Sequence, residues 1–382
     1  MSDTFVAPIR SWLAEPMPKD VGKAIERLSL ADDVQMIAVM PDVHLSHQVC
    51  VGVAVATRSL IYPDAVGKDI GCGMAAIAFE SEAGVLRDAR RAAEMFKLLR
   101  KAVPIHRHAN RELAFQRATE LDPTQLTAEP IAKVAQRDGA VQLGTLGRGN
   151  HFLEFQEDDE GRLWLMVHSG SRAMGQAISD WHLRFALKGA LGLRYLDGTA
   201  DAGQQYLRDM EWALRYARTN REIMIQNASE VARKVLGAQA IADSYFDADH
   251  NHVRIETHQG QELWVHRKGA ASARANEIGI IPGSMGTESY HVEGRGVEDS
   301  LCSSSHGAGR AMSRHEARQR ITLGQFRNQT QDVWIDPRAA PALKEEAPAA
   351  YKDIRAVMRA QRELTRIVRV LRPILSYKGC RN

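Results

Sequence analysis

The segment Asp69-Ile70-Gly71-Cys72-Gly73-Met74-Ala75-Ala76-Ile77-Ala78-Phe79 sets a carboxylate and a thiol three residues apart, directly before an apolar run. The run 74–79 reads as a buried strand, and the glycines as the turn that feeds it. Such a turn can bend Asp69 and Cys72 onto one cation. Mixed oxygen and sulfur ligation suits a borderline ion such as Zn2+ or Mn2+ better than Mg2+. Alone, Cys72 is more simply a small buried thiol, so the case for a metal rests on what accompanies it.

Outward from this segment, short strands are predicted at 35–40, Val51–Thr57, 151–156 and 163–167. The stretch 85–138 reads as mainly helical, with charged faces at 87–101 and 111–120. An amphipathic helix or helix pair is expected over 202–236, then a hairpin of 253–257 and 263–266 across a Gln-Gly turn. The last element expected is a helix over 350–372, ending before Pro373. On it Arg355, Arg359, Arg362, Arg366 and Arg369 share one face. That face reads either as solvated or, because five unpaired guanidinium groups repel one another, as a stripe for RNA phosphates. With no linker or repeat, the expectation is a single α+β domain over 1–382.

Composition bounds the function loosely. The 382 residues are 44% hydrophobic and 25% charged, enough chain for a large core. A net charge of +3 neither demands nor excludes a nucleic-acid partner. Cys50, Cys72, Cys302 and Cys380 form no CxxC pair and no dense framework, which predicts reduced thiols and a cytoplasmic location. Residues 1–10 lack the pattern of a secretory signal, and no apolar run approaches the ~20 residues of a membrane span.

Several other turns carry metal ligands or anion-binding geometry. Gly147-Arg148-Gly149-Asn150-His151-Phe152-Leu153-Glu154 opens a strand, His168-Ser169-Gly170-Ser171-Arg172 closes one, and Asp249-His250-Asn251-His252 enters the hairpin. A lone histidine at a strand end is usually a satisfied polar group. Three of them, each beside Gly, Asn or Ser at a strand–loop junction, point to ligation, and with Asp69 and Cys72 they suffice for two ions. Ile281-Pro282-Gly283-Ser284-Met285-Gly286 and Ser304-Ser305-His306-Gly307-Ala308-Gly309-Arg310 can turn successive N–H groups toward an anion. An imidazole at His306 on uncluttered backbone can attack phosphorus, with Arg310 to balance charge. Lys268 and Lys378 are further candidate cations. Read physically, these residues reach metal-assisted phosphoryl or nucleotidyl transfer, with His306 as candidate nucleophile, and stop short of a substrate.

Taken in order, Met40-Pro41-Asp42-Val43-His44, Asp69–Met74, Leu143-Gly144-Thr145-Leu146-Gly147, Gly149–Phe152, His168–Arg172, Pro282–Gly286, His306–Arg310, Tyr351-Lys352-Asp353-Ile354 and Lys378-Gly379 resemble the RtcB family of RNA ligases, from about residue 36 to residue 379. The resemblance implies that family's α+β fold, with mixed sheets around a deep central cleft for metals and GTP. It implies sealing of an RNA 3′-phosphate or 2′,3′-cyclic phosphate end to a 5′-hydroxyl end with GTP and two Mn2+ ions. Asp69, Cys72, His151, His168 and His250 would hold the ions, with Cys72 bridging them, and His306 would carry GMP. Asn150, Glu154, Asn251, Pro282, Gly283, Ser284, Met285, Ser289, Gly307, Ala308, Gly309, Tyr351 and Lys378 would surround the nucleotide, together with His151, His250 and His306. Arg172, Arg310 and Lys268 would face phosphates. Implied partners are tRNA halves or damaged RNA and an archease-like activator. The chain departs from the family pattern at Ser46-His47, Ala173, His266 and Glu288. The competing readings are a metal-dependent RNA-end phosphatase or cyclic phosphodiesterase, and an inactive relative that binds RNA ends.

Overall fold

A computed structural model describes residues 5–108 and 121–379. In chain order its strands are β1 Ile9–Ser11, β2 Val34–His44, β3 Val51–Thr57, β4 Leu60–Ile61, β5 Gly73–Glu82, β6 Phe152–Asp158, β7 Arg162–Ser169, β8 Leu187–Lys188 and β9 Arg194–Asp197. They continue with β10 Ala240–Asp249, β11 Asn251–His258, β12 Gln261–Lys268, β13 Ala270–Ser272, β14 Ile278–Ile281, β15 Ser289–Gly294, β16 Ser303–Ser305 and β17 Thr365–Lys378. One mixed sheet runs β1-β2-β3-β12-β11, and a larger one runs β10-β5-β7-β6-β17-β15-β14. Two small sheets, β13-β16 and β4-β9-β8, complete the topology. The α+β class expected from sequence is what the chain adopts.

β5 shows why its apolar run is unbroken. Ala75, Ile77 and Phe79 face one core with Phe155, Leu165 and Met224, while Met74, Ala76 and Ala78 face a second with Trp164 and Met166. A strand buried on both faces needs no polar alternation. Helices Ala89–Ala102 and Asp201–Leu236 cover the first face. The shorter helix begins after Asp88, whose side chain caps it by accepting from the Arg90 and Arg91 amides. The long helix runs unbroken to Gly237, a left-handed C-terminal cap.

Register fixes where the chemistry falls. Gly73 pairs with Ser169 and with Asp249, Met74 and Phe152 both pair with His168, and Lys378 pairs with Phe152. Cys72, His151, His168, His250 and Lys378 therefore gather at one end of the large sheet. In the other sheet His44 pairs with Val51, and Lys268 with Val53 and Asn251, so its corresponding end faces the same space.

The expected helix over 350–372 is a correction. Only Ile354–Ala360 is helical, a turn follows, and the chain then enters β17. Thr365, Ile367, Val368 and Val370 favour a pleated surface, and pairing on both sides by β6 and β15 overrides the helical spacing of the arginines. Pro373 sits inside β17 at a shift of register, where a missing N–H is tolerated. The arginine stripe dissolves with the helix. Arg355 pairs with Glu288, Arg359 with Asp353, Arg366 with Glu293, and Arg369 with Asp158. The charged face expected at 111–120 lies outside the described residues, as does Cys380; Cys50, Cys72 and Cys302 are free thiols.

Candidate active site

The turn Asp69–Cys72 is pressed against the long helix. Gly71 is left-handed (φ +70°), and a Cβ there would sit 2.9 Å from Ala217 Cβ. This places Cys72 Sγ 3.2 Å from His168 Nε2 and 3.5 Å from His151 Nε2. His168 Nε2 lies 3.4 Å from His250 Nε2, and His151 Nε2 lies 2.9 Å from Asp69 Oδ2. Two ligand triads result, Cys72-His168-His250 and Asp69-Cys72-His151, with Cys72 common to both. A thiolate, a carboxylate and three imidazoles, so placed, fit two borderline divalent ions sharing one sulfur.

The surroundings hold these ligands in the form a metal needs. His151 Nδ1 donates to the Leu146 carbonyl and His168 Nδ1 to that of Asn150, each 3.1 Å away, which turns both Nε2 lone pairs inward. Burial, then neighbouring imidazoles, hold His168 and His250 neutral, well below the usual histidine pKa. Burial disfavours charge on Asp69, yet His151 beside it keeps its carboxyl below the usual range. Burial and the Asp69 charge push the Cys72 thiol well up, so the thiolate needs a cation to form. From the long helix, buried Arg221 pairs with Asp247 and donates to the Gly71 and Ser169 carbonyls at 2.7 and 2.9 Å. Asn220 accepts from the Gly144 and Thr145 amides. One helix turn thus ties the ligand loops together.

Gly170 closes against Asp69: a Cβ there would stand 2.3 Å from Oδ1. Gly170→Ala is expected to push the carboxylate off its position and weaken binding at the Asp69-Cys72-His151 triad about 10–100-fold, read by metal titration.

Beside the metal ligands, His306 follows β16, its ring centroid 4.7 Å from that of His250. Asp42 Oδ2, fully buried, lies 2.7 Å from His306 Nδ1, a close contact set off the N–H line, and 3.3 Å from the His306 amide. With the Nδ1 proton toward Asp42, Nε2 keeps its lone pair. Gly269 (φ +59°) lets the backbone pass the ring, since a Cβ there would meet His306 Cε1 at 3.0 Å.

A cleft of about 920 Å3 opens from this point. Asp69, Cys72, His168, His250 and His306 line one end. Asn150, Glu154, Asn251, Pro282–Met285, Ser289, Gly307–Arg310, Tyr351 and Lys378 are among the residues that line the rest, with Lys268, Arg314, Glu346 and Lys352. His151 and Arg172 lie behind its wall. Arg172 donates to Thr145 Oγ1 at 3.2 Å and its guanidinium packs where a Gly147 side chain would go. Lys268 spends its ammonium on the carbonyls of His47, Val49 and Asp64, and burial lowers its pKa to about 8. Arg310 stacks over Tyr351, and both reach buried Glu346, which also pairs with Lys378 Nζ at 2.7 Å.

Glu154 is the electrostatic outlier. Burial raises its pKa to about 7, against the opposing pull of Gln156, Ser376 and Lys378. A carboxyl raised on folding stabilises the fold below its unfolded pKa of about 4.3, and that contribution is lost as pH rises through 7. Glu154→Gln is therefore expected to leave stability unchanged near pH 4 and to raise it by about 3 kcal/mol at pH 8, read by denaturant unfolding across pH.

Residues 25–379 match the family model described as tRNA-splicing ligase RtcB. The chain is 35% identical to the RNA-splicing ligase RtcB of Escherichia coli K12, over 98% of both chains. The chain belongs to the RtcB family. It is 30% identical to the Mycobacterium tuberculosis RNA-splicing ligase RtcB over 89% of this chain and 96% of that one. It is 34% identical to the tRNA-splicing ligase RtcB of Methanopyrus kandleri over 65% of this chain and 31% of that one.

Around this RtcB-family cleft the sequence did not single out Glu346, Arg314 and Lys352, which line it, or Asp42, Asn220 and Arg221, which stand behind its ligand loops and His306. Asp42 and Lys352 fall in quoted motifs, and an acid next to an otherwise apolar strand end was a usable signal for Asp42. The helix and loop residues carry no local pattern. The departures have structural partners: Glu288 meets Arg355, and His266 is a satisfied core histidine that accepts from the Tyr62 amide at 3.0 Å and contacts the Val55 carbonyl at 3.2 Å. Among the described residues, no helix is long and apolar enough to cross a membrane.

Proposed function

We propose that this chain is a GTP- and Mn2+-dependent RNA ligase that joins an RNA 3′-phosphate or 2′,3′-cyclic phosphate end to a 5′-hydroxyl end through GMP carried on His306. The observation that carries the reading is the adjacency of two ligand triads sharing Cys72 to an imidazole backed by a buried carboxylate. The relatives' names, RNA-splicing ligase and tRNA-splicing ligase, support RNA as the substrate.

Two Mn2+ ions, when bound by Asp69, Cys72, His151, His168 and His250, supply positive charge against the triphosphate. His306 Nε2 attacks the α-phosphorus of GTP; the P–N bond forms, the α–β P–O bond breaks and pyrophosphate leaves. Asp42 holds the Nδ1 proton and stabilises the charge that develops on the ring. A 2′,3′-cyclic end is first opened by water, which breaks the P–O2′ bond; an oxygen of the resulting or original 3′-phosphate then takes the GMP, breaking the P–N bond. The 5′-hydroxyl attacks that 3′-phosphate and expels GMP.

Asn150, Glu154, Asn251, Ser289 and Lys378 supply polar contacts for the nucleoside, and Tyr351 a face for stacking. Pro282, Gly283, Ser284 and Met285, with Gly307, Ala308 and Gly309, present backbone toward the phosphates, and Arg310 lies at the cleft's phosphate end. Arg172 acts from behind the wall and Lys268 from the cleft lining, each by fixing the loops it binds. Broken tRNA or damaged RNA in the cytoplasm, with an archease-like activator, completes the proposal. An RNA-end phosphatase or phosphodiesterase would need the ions but not the Asp42–His306 pair.

The test is incubation with α-32P-GTP and Mn2+, followed by addition of RNA bearing a 3′-phosphate and RNA bearing a 5′-hydroxyl. The expected result is an acid-labile, alkali-stable protein label that is discharged as the RNAs join. Absence of label in protein verified to hold metal would remove this mechanism and leave the phosphatase.

A further inference from the structure

A second group of metal-competent side chains stands apart from the cleft, and none of its members lines it. His258 ends β11, Glu298 opens the short turn Glu298–Ser300, and Cys302 immediately precedes β16. Their ligand atoms all lie within 4.8 Å of one another. His258 Nδ1 is 2.9 Å from Glu298 Oε2, and Cys302 Sγ is 3.9 Å from Glu298 Oε1.

The surroundings of this trio are as organised as those of the cleft ligands. Glu256 Oε2 lies 3.2 Å from His258 Nε2, so the carboxylate can hold that N–H and turn Nδ1 toward Cys302 and Glu298. This carboxylate–histidine arrangement is the one that orients histidine ligands on metals. Glu256 is itself fixed by buried Arg267 and by Arg274. Its charge is thereby answered, whereas Glu298 and Cys302 have His258 as their shared neighbour.

Backbone conformation at the thiol points the same way. Leu301 and Cys302 are both left-handed, with φ of 53° and 45°, a conformation that residues with side chains adopt only when held there. Arg267 holds it, donating to the Leu301 carbonyl at 2.8 Å. In that conformation Cys302 Sγ stands within 4.8 Å of the His258 and Glu298 ligand atoms.

We propose that His258, Cys302 and Glu298 bind one Zn2+, with Glu256 orienting His258 and water in the fourth position. Thiolate, imidazole and carboxylate are a tetrahedral zinc donor set, and half-exposed Glu298 gives the ion a path in. The ion would pin the chain four residues before His306, stiffening the strand that delivers it.

The test uses chelator-stripped full-length protein and Co2+ or Zn2+ alone. In a Cys72→Ala background, one equivalent of Co2+ is expected to give a near-ultraviolet thiolate-to-metal band, and adding Cys302→Ser to remove it. Glu298→Gln, at a half-exposed position, is expected to weaken Zn2+ binding about 10-fold or more. In the otherwise unchanged chain, His258→Gln should lower bound Zn2+ by one equivalent with the circular dichroism spectrum preserved. The proposal fails if the folded Cys72→Ala protein shows no band, if the band survives Cys302→Ser, or if zinc content is unchanged by His258→Gln.

Discussion

His306→Ala is expected to abolish the GMP label and RNA joining together, by about 10⁴-fold or more, while leaving Mn2+ binding intact. The ring is not a member of either ligand triad, so its loss removes the attacking nitrogen and no metal donor. Asp42→Asn tests how that nitrogen is prepared. Asp42 is fully buried and faces both the His306 ring and its amide. An amide of the same shape can present its NH2 group to Nδ1, which would move the ring proton to Nε2 and block attack. The expected loss is about 10²–10⁴-fold in the rate of labelling with little change in the KM for GTP, because Asp42 lies behind the ring. Quench-flow labelling at saturating GTP separates the two quantities. Equal losses in rate and nucleotide affinity would mean that Asp42 shapes the pocket instead of the nucleophile.

Much of this candidate site is legible because the candidate ligands are local signals at element ends. Asp69, Cys72, His151, His168 and His250 each stand beside glycine or at a strand junction, and the strands themselves are short, apolar and bounded by turns. Convergence was not legible. It depends on register, and nothing near His168 says that it pairs with Met74 on one side and Phe152 on the other. Support from the long helix was equally hidden, since Asn220 and Arg221 lie in a charged helical stretch where exposed side chains are the ordinary expectation.

The misread element shows the same limit from the other direction. Arginine spacing over 355–369 matches a helix, yet Thr365, Ile367, Val368 and Val370 match a strand. The vacancy between β6 and β15 decides between them. Long-range pairing of this kind outweighs local propensity, which is worth at most about 1 kcal/mol per residue. The consequence reaches the site, because only as a strand does this segment carry Lys378 to Glu346 and Asn150.

Cys72→Ala is expected to lose both cleft ions, whereas His151→Ala and His250→Ala each lose one. The sulfur is the only ligand atom the two triads share. Removing it leaves each site two donors, and leaves Asp69 and three buried imidazoles with no thiolate to neutralise an ion's charge. His151 belongs to one triad and His250 to the other, so each histidine variant spares a complete set. Free Mn2+ followed by electron paramagnetic resonance during titration gives the count: about two ions bound per chain for the unchanged protein, none for Cys72→Ala and one for each histidine variant, if the triads bind as drawn. Alanine fills less volume than the thiol, and a single small-residue deletion in this packed turn costs on the order of 1 kcal/mol, too little to unfold a domain of this size. RNA joining should fall with the metal, by about 10⁴-fold in Cys72→Ala. One ion retained by Cys72→Ala would show that the triads bind separately, and the shared sulfur would then be a matter of packing alone.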